Sequence, residues 1–202
     1  MKLIIPYRNR LEHLQKFKEH YKGFDLLVVE QADNKLFNRG KLLNIGFNEC
    51  EDSEVCFHDV DLLAHDLSTY KLGFNGAKHL SGLCEQFGYK PPYQTCFGGV
   101  TAFTGESFLK CNGFSNDFWG WGGEDDDLYN RAKINDISIV FENNKYYSLK
   151  HDKQPITAQY SVNKHLCVNT GQTWQNSGLN SMRYSIVKHD SILGIERILV
   201  NL

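Results

Sequence analysis

Four acidic residues, Glu124, Asp125, Asp126 and Asp127, follow directly after Trp119, Gly120, Trp121, Gly122 and Gly123. Crowded carboxylates raise one another's pKa, which suits general-base chemistry. Their repulsion is tolerable if they occupy the first turn of a helix, where free N–H groups and the helix dipole favour negative charge. The pattern predicts such a helix from Glu124 to about Lys133. Capping alone needs one or two acids, not four. A tryptophan beside acids also fits a sugar site, with the aromatic face on the ring and the carboxylates on hydroxyls. The glycines let the segment move or approach a ligand closely.

A second acidic pair stands in "HDVDLL", where Asp59 and Asp61 flank Val60 at the end of an apolar strand. Residues two apart on a strand point the same way, and ligands of open α/β sheets gather at that edge. Two carboxylates there suit a divalent cation carrying a diphosphate. Taken alone, D-x-D also fits a solvated strand end. Arg8 and Arg10, in "PYRNR", would lie near the same edge and offer planar forks to phosphate or a uracil carbonyl. Phe37 and Arg39, in "FNRGKLLN", precede a helix, so Phe37 is placed to stack on a base. His151, in "SLKHDK", offers an imidazole to the same metal, since Mn²⁺ accepts mixed oxygen and nitrogen donors. Each of these, in isolation, fits an ordinary surface or core position equally well.

The elements that must position these groups are legible in outline. A first strand, Leu3–Ile5, is expected to stop at Pro6. Residues 11–22 carry Leu11, Leu14, Phe17 and Lys18 at helical spacing, and Gly23 follows as a stop. A strand over 25–31, a helix over 38–50 and a strand over 54–63 complete an alternation that predicts parallel crossovers in an α/β sheet. Beyond it come a strand, a turn, a short helix around Glu106–Asn112, the acidic helix and the strand "ISIVFENN". Residues 150–180 are polar without a period and read as a long loop, and the tail closes as a strand. One domain over 1–202 is expected.

Composition narrows the class. Hydrophobic residues make up 41% and charged residues 23% of 202 residues, ordinary for a globular chain. The net charge is −2 with no basic cluster, which argues against nucleic acid as a partner. No apolar run reaches the roughly 20 residues that span a bilayer, and "MKLIIPYRNR" is too short in its apolar part for a secretory signal. The chain reads as beginning at its own fold, so a cytoplasmic location is expected. The six cysteines form no C-x-x-C pair, so reduced thiols are expected rather than a zinc knuckle.

The ordered set "IIPYRNR…FNRGKLLNIGF…HDVDLL…FGGVTAFTGESF…NGFSNDFWGWGGEDDDLYNR…H…GLNS" resembles the animal β-1,4-galactosyltransferase family, glycosyltransferase family 7. The resemblance runs from about Lys2 to Ser181, and "WGWGGEDDD" is its most specific part. It implies a GT-A fold, with a mostly parallel sheet flanked by helices, and Mn²⁺-dependent, inverting transfer of a sugar from UDP. It implies that Arg8, Arg10, Phe37, Arg39, Asp59, Val60, Asp61, Cys96, Gly99 and Trp121 contact the donor. Asp61 and His151 then hold the metal, and Glu124, Asp125 and Asp126 bind the acceptor, with Asp125 as catalytic base. Trp121 and a mobile loop over 149–169 would close on the donor.

Departures from the family's pattern bear on specificity. The family's metal-binding methionine is replaced by Ser148, a phosphate-contacting lysine by Gln86, and an Arg-Phe pair on the acceptor side by Asn163 and Lys164. The paired disulfide cysteines have no counterpart. The tyrosine of galactose-specific members is Cys96, so the expected donor is UDP-GalNAc or UDP-Gal, the expected bond β-1,4 and the expected acceptor a saccharide. Two alternatives remain at this point. One is a non-catalytic carbohydrate or UDP-sugar-binding protein. The other is a metal-dependent phosphoesterase, which would need more His/Asp ligands than the chain supplies.

Overall fold

A computed structural model describes residues 1–151 and 157–202. In chain order the strands and helices are β1 (Lys2–Tyr7), α1 (Leu11–His20), β2 (Leu26–Gln31), α2 (Arg39–Asn48), β3 (Glu54–His58) and β4 (Leu62–Ala64). Then come β5 (Ala77–His79), β6 (Leu83–Cys84), β7 (Val100–Thr104), α3 (Gly105–Lys110), α4 (Glu124–Ile134), β8 (Ile139–Phe141) and β9 (Lys145–Ser148). The chain ends with α5 (Ala158–Val168), α6 (Thr170–Thr173), β10 (Ser185–Ile192) and β11 (Ile195–Asn201).

Eight strands form one sheet in the order β10-β11-β2-β1-β3-β7-β5-β8, and β4, β9 and β6 form a second, three-stranded sheet. The pairings β11/β2, β2/β1, β1/β3 and β5/β8 are parallel, whereas β7 runs antiparallel to β3 and β5. The central strands are apolar on both faces, as burial between layers requires. Ile4, Leu27, Val29 and Phe57 join the core beneath α2, α3 and α4. Leu3, Ile5, Val28 and Cys56 point the other way and pack with Leu14 and Phe17 of α1. Helix α2 lies so close that a Cβ on Gly46 would come within 2.3 Å of Ile4 Cγ2.

Pro6 does not end the first strand. Leu3 N donates to Asp25 O on the β2 side, so by alternation the nitrogen of residue 6 faces β3. Pairing with β3 has already ended at Ile4–Phe57. The missing N–H therefore costs no rung, and β1 continues to Tyr7.

The expected long loop over 150–180 is also corrected, because α5 and α6 lie within it. Helix α5 buries only Asn163, so it has no apolar stripe for periodicity to detect. The expectation of a mobile loop over 149–169 falls partly on residues 152–156, outside the described residues. The tail forms the β10/β11 hairpin rather than a single strand. Among the described residues, no helix is long and apolar enough to cross a membrane.

Candidate active site

The predicted residues gather along one edge of the large sheet. Arg8 and Arg10 follow β1, the segment Asp59–Asp61 links β3 to β4, and Cys96 and Gly99 lead into β7. Asn38 caps α2 by accepting the Lys41 N–H at 2.9 Å, which starts the helix at Arg39. The acids open α4 as expected, after Gly123 at φ +94°, a conformation that strains other residue types.

Arg39 is the junction of the site. Its Nε donates to Asp59 Oδ1 at 2.6 Å and its Nη1 to Asp125 Oδ1 at 2.6 Å, while Glu124 Oε1 lies 3.9 Å from Nη1. Burial works against the Arg39 charge, but Asp125, Asp59 and Glu124 outweigh it and hold the guanidinium protonated. Burial also drives the Asp125 carboxyl well above the usual carboxylate range. Arg39 opposes that rise, whereas Glu124, Asp59 and Asp126 add to it. The other oxygen of Asp125 lies against Gly98, where a Cβ would be 2.5 Å from Oδ2. Only glycine leaves that carboxylate its place.

The four acids divide their work. Glu124 is raised by burial and points toward Arg39. Asp126 Oδ1 accepts the Tyr93 hydroxyl at 2.7 Å. Asp127 turns away from the site into a buried cluster, where Arg131 Nε donates to it at 2.6 Å and Thr170 Oγ1 at 2.7 Å. The fourth acid is therefore structural, which answers why the run exceeds what a sugar site requires.

Asp61 and His151 lie side by side. His151 Nε2 lies 2.9 Å from Asp61 Oδ2, and Arg10 Nη1 lies 3.5 Å from the same oxygen. Arg10 Nη2 is 3.3 Å from His151 Nδ1. Burial and the nearby Asp59 raise Asp61, while His151 and Arg10 pull it down. A carboxylate oxygen and an imidazole nitrogen facing each other fit Mn²⁺, which accepts both donor types. Among the described residues, no three His, Cys, Asp or Glu side chains converge on one point. Ser148 Oγ, at the methionine position, accepts the Gln86 N–H at 3.3 Å, and Ser148 N donates to Glu85 Oε2 at 3.2 Å.

The remaining predicted residues sit around this centre. The Arg8 guanidinium stands 5.3 Å from the Phe37 ring centroid, and Phe37 packs against the core. Val60 sends its side chain into the core and leaves its backbone at the turn. Gly99 O accepts the Asp59 N–H at 3.1 Å. Cys96 is half-buried, and burial, with Asp125 and Asp126 nearby, pushes its thiol up. Trp121 is exposed and stacks on Tyr160 at 5.4 Å. Asn163 is buried and donates to the carbonyls of Trp119 at 3.0 Å and Trp121 at 3.4 Å, so it holds the tryptophan loop from α5.

Sequence reasoning missed Tyr93, Tyr160 and the buried His79 and Ser81. The last two donate to the Gly98 carbonyl at 2.8 and 3.0 Å and so fix the backbone under Asp125. For Tyr93 the available signal was its nearness to "CFGGV", three residues before Cys96; the others carry no local signal.

Residues 1–72 match the N-terminal region of glycosyl transferase group 7, and residues 78–152 match the N-terminal domain of galactosyltransferase. The chain belongs to glycosyltransferase family 7. Within that family it is 36% identical to β-1,4-galactosyltransferase 1 of Bos taurus, over 92% of this chain and 50% of the bovine one. It is 38% identical to human β-1,4-galactosyltransferase 4, over 92% of this chain and 58% of the human one. The chain thus spans about half the length of these relatives. The catalytic domain of Drosophila β-1,4-galactosyltransferase 7, in complex with xylobiose, superposes with a TM-score of 0.81 at 26% identity, covering 100% of this chain and 93% of that one. A mutant of the same Drosophila protein, in complex with manganese, UDP-Gal and xylobiose, gives a TM-score of 0.79. The fold of this family 7 chain is of the GT-A type.

Proposed function

We propose that this family 7 protein is an inverting, metal-dependent transferase moving a hexose or N-acetylhexosamine from a UDP-sugar to a saccharide hydroxyl with β-1,4 linkage. The observation that carries the reading is the Arg39 bridge. It sets the D-x-D strand end and the buried Asp125 within the span of one guanidinium. Leaving group and attacking hydroxyl must flank one anomeric carbon, and this arrangement supplies a group for each side. The Drosophila complex with manganese, UDP-Gal and xylobiose supports the same assignment.

In this reading Arg8, Arg10, Phe37 and Arg39 hold the nucleotide, with the backbone at Val60 and Gly99 beside it. Asp61 and His151 would hold Mn²⁺. When bound, the ion supplies positive charge against the departing diphosphate. Glu124 and Asp126 hold acceptor hydroxyls, and Asp125 takes the proton from one of them. The freed oxygen pair forms the new bond at the anomeric carbon from the face opposite UDP. The old bond to the phosphate oxygen breaks, its electron pair leaves with UDP, and the configuration inverts. Trp121 and α5 close over the donor and keep out water, which limits hydrolysis.

Cys96 bears on the donor. A thiol is smaller than a phenol and lacks its full hydrogen-bonding role, so it leaves room beside the sugar C2 substituent for an acetamido group. The reading includes a cytoplasmic location, which the six free cysteines fit.

The test is UDP release from UDP-Gal and UDP-GalNAc with Mn²⁺, with and without saccharide acceptors. Release that rises with acceptor and stops in Asp61→Ala and in excess chelator is expected. Tight UDP-sugar binding without release under any acceptor would identify a binding protein instead. Full activity in excess chelator would remove the metal from the mechanism.

A further inference from the structure

Directly behind the D-x-D turn lies a buried polar cluster that the reaction does not use. His58, the last residue of β3, is fully buried, as are Tyr21, after α1, and Tyr146 of β9. His58 Nδ1 lies 2.9 Å from Asp59 O. A carbonyl only accepts, so Nδ1 carries the proton. Nε2 is then free to accept, and the Tyr70 hydroxyl lies 2.6 Å from it, with that of Tyr21 at 3.1 Å. Tyr146 donates its hydroxyl to that of Tyr70 at 3.2 Å, and the hydroxyls of Tyr21 and Tyr70 are 2.9 Å apart. Phe17 closes the cluster with its ring edge-on to His58 at 4.9 Å.

The cluster grips the turn from both sides. On the near side His58 holds the Asp59 carbonyl. On the far side the Tyr21 hydroxyl accepts the Ala64 N–H at 2.9 Å and donates to Leu62 O at 3.3 Å, so it brackets β4 immediately after Asp61. Tyr146 extends the grip to β9, the strand that leads to His151. The Leu149 N–H donates to Asp61 O at 2.8 Å and ties the two segments again. Four side chains distant in sequence thus converge on the backbone that carries both metal donors, with every hydrogen-bonding atom of the imidazole satisfied.

We propose that His58, Tyr21, Tyr70 and Tyr146 are positioning residues that fix Asp61 and His151 relative to each other, and so set the affinity for the divalent cation. The inference rests on the metal-dependent reading above. Outer groups that orient ligands typically change metal affinity by about 10–100-fold when removed. A packing role predicts lost stability with unchanged affinity.

The experiment is a titration of the full chain with Mn²⁺ in the presence of UDP, following the free ion by electron paramagnetic resonance, alongside thermal melts. Tyr70→Phe and Tyr21→Phe remove one hydroxyl each and preserve the rings. Tyr184→Phe is the comparison, because Tyr184 donates to Glu49 at 2.6 Å far along the chain from the turn. The expected result is Mn²⁺ affinity lower by about tenfold or more in Tyr70→Phe and Tyr21→Phe, restored occupancy at higher Mn²⁺, and wild-type affinity in Tyr184→Phe. Wild-type affinity in all three, with only melting temperatures lowered, overturns the inference. A wild-type chain that takes up no Mn²⁺ overturns the metal-dependent reading itself, and the inference with it.

Discussion

The Arg39 guanidinium donates to Asp125 Oδ1 at 2.6 Å, and this contact is the main influence holding the buried carboxylate's pKa down. Burial, Glu124, Asp59 and Asp126 all push the other way. The sign for activity follows. A base works when deprotonated, so a raised pKa places the acid limb of the kcat/KM profile above the usual carboxylate range. Arg39→Met removes the opposing charge and should move that limb to still higher pH. A pH–rate profile checks this; an acid limb that stays in place would separate Arg39 from the base.

Asp125→Asn should leave UDP-sugar binding nearly intact and reduce transfer at least about 100-fold, the contribution typical of a general base. Binding by calorimetry and single-turnover transfer measure the two effects separately. If Asp125→Asn turns over like wild type while Asp126→Asn is inactive, the base is Asp126.

Cys96 sets the donor in the proposed reaction. UDP-GalNAc, with UDP-GlcNAc as the further N-acetylated donor, should be used at least as well as UDP-Gal, and Cys96→Tyr should shift preference toward UDP-Gal. The measurement is kcat/KM for all three donors in both proteins. Rejection of both N-acetylated donors by wild type, with no change in Cys96→Tyr, contradicts the assignment.

Asp127→Ala should destabilise the fold by about 3–5 kcal/mol, because it leaves the buried Arg131 charge without its partner. Chemical denaturation measures the loss. Asp126→Ala, which gives up the hydrogen bond from the Tyr93 hydroxyl, should lose far less stability and more activity. Equal stability losses in the two variants would deny the division of labour within the acidic run.

Much of this was legible in the sequence because period and composition carry it. The apolar runs at β1, β2 and β3 and the acid-led α4 are each found where expected, since a buried strand and a helix start leave a local signature. The single strand expected over 54–63 is corrected: it breaks at Asp59–Asp61, which form the turn between β3 and β4, because the acids leave the sheet edge instead of continuing the apolar run. Pro6 misled because its effect depends on which neighbour its nitrogen faces, a fact of register. Helix α5 was invisible because its contribution is one buried amide, Asn163, rather than an apolar face. The individual site residues were nameable, but not their joints. Arg39 bridging Asp59 to Asp125 joins three separate elements, and the tyrosines around His58 come from positions 21, 70 and 146. Such long-range closures leave no mark on local pattern.

The Asn163 amide holds the tryptophan loop by the carbonyls of Trp119 and Trp121, not by their rings. The tether is thus indifferent to which side chain occupies position 121. Substitution there keeps both amide contacts but gives up the Tyr160 stack, so position 121 is open to change only at that cost. Position 163 is not, since even a loss of one amide nitrogen would release two carbonyls at once.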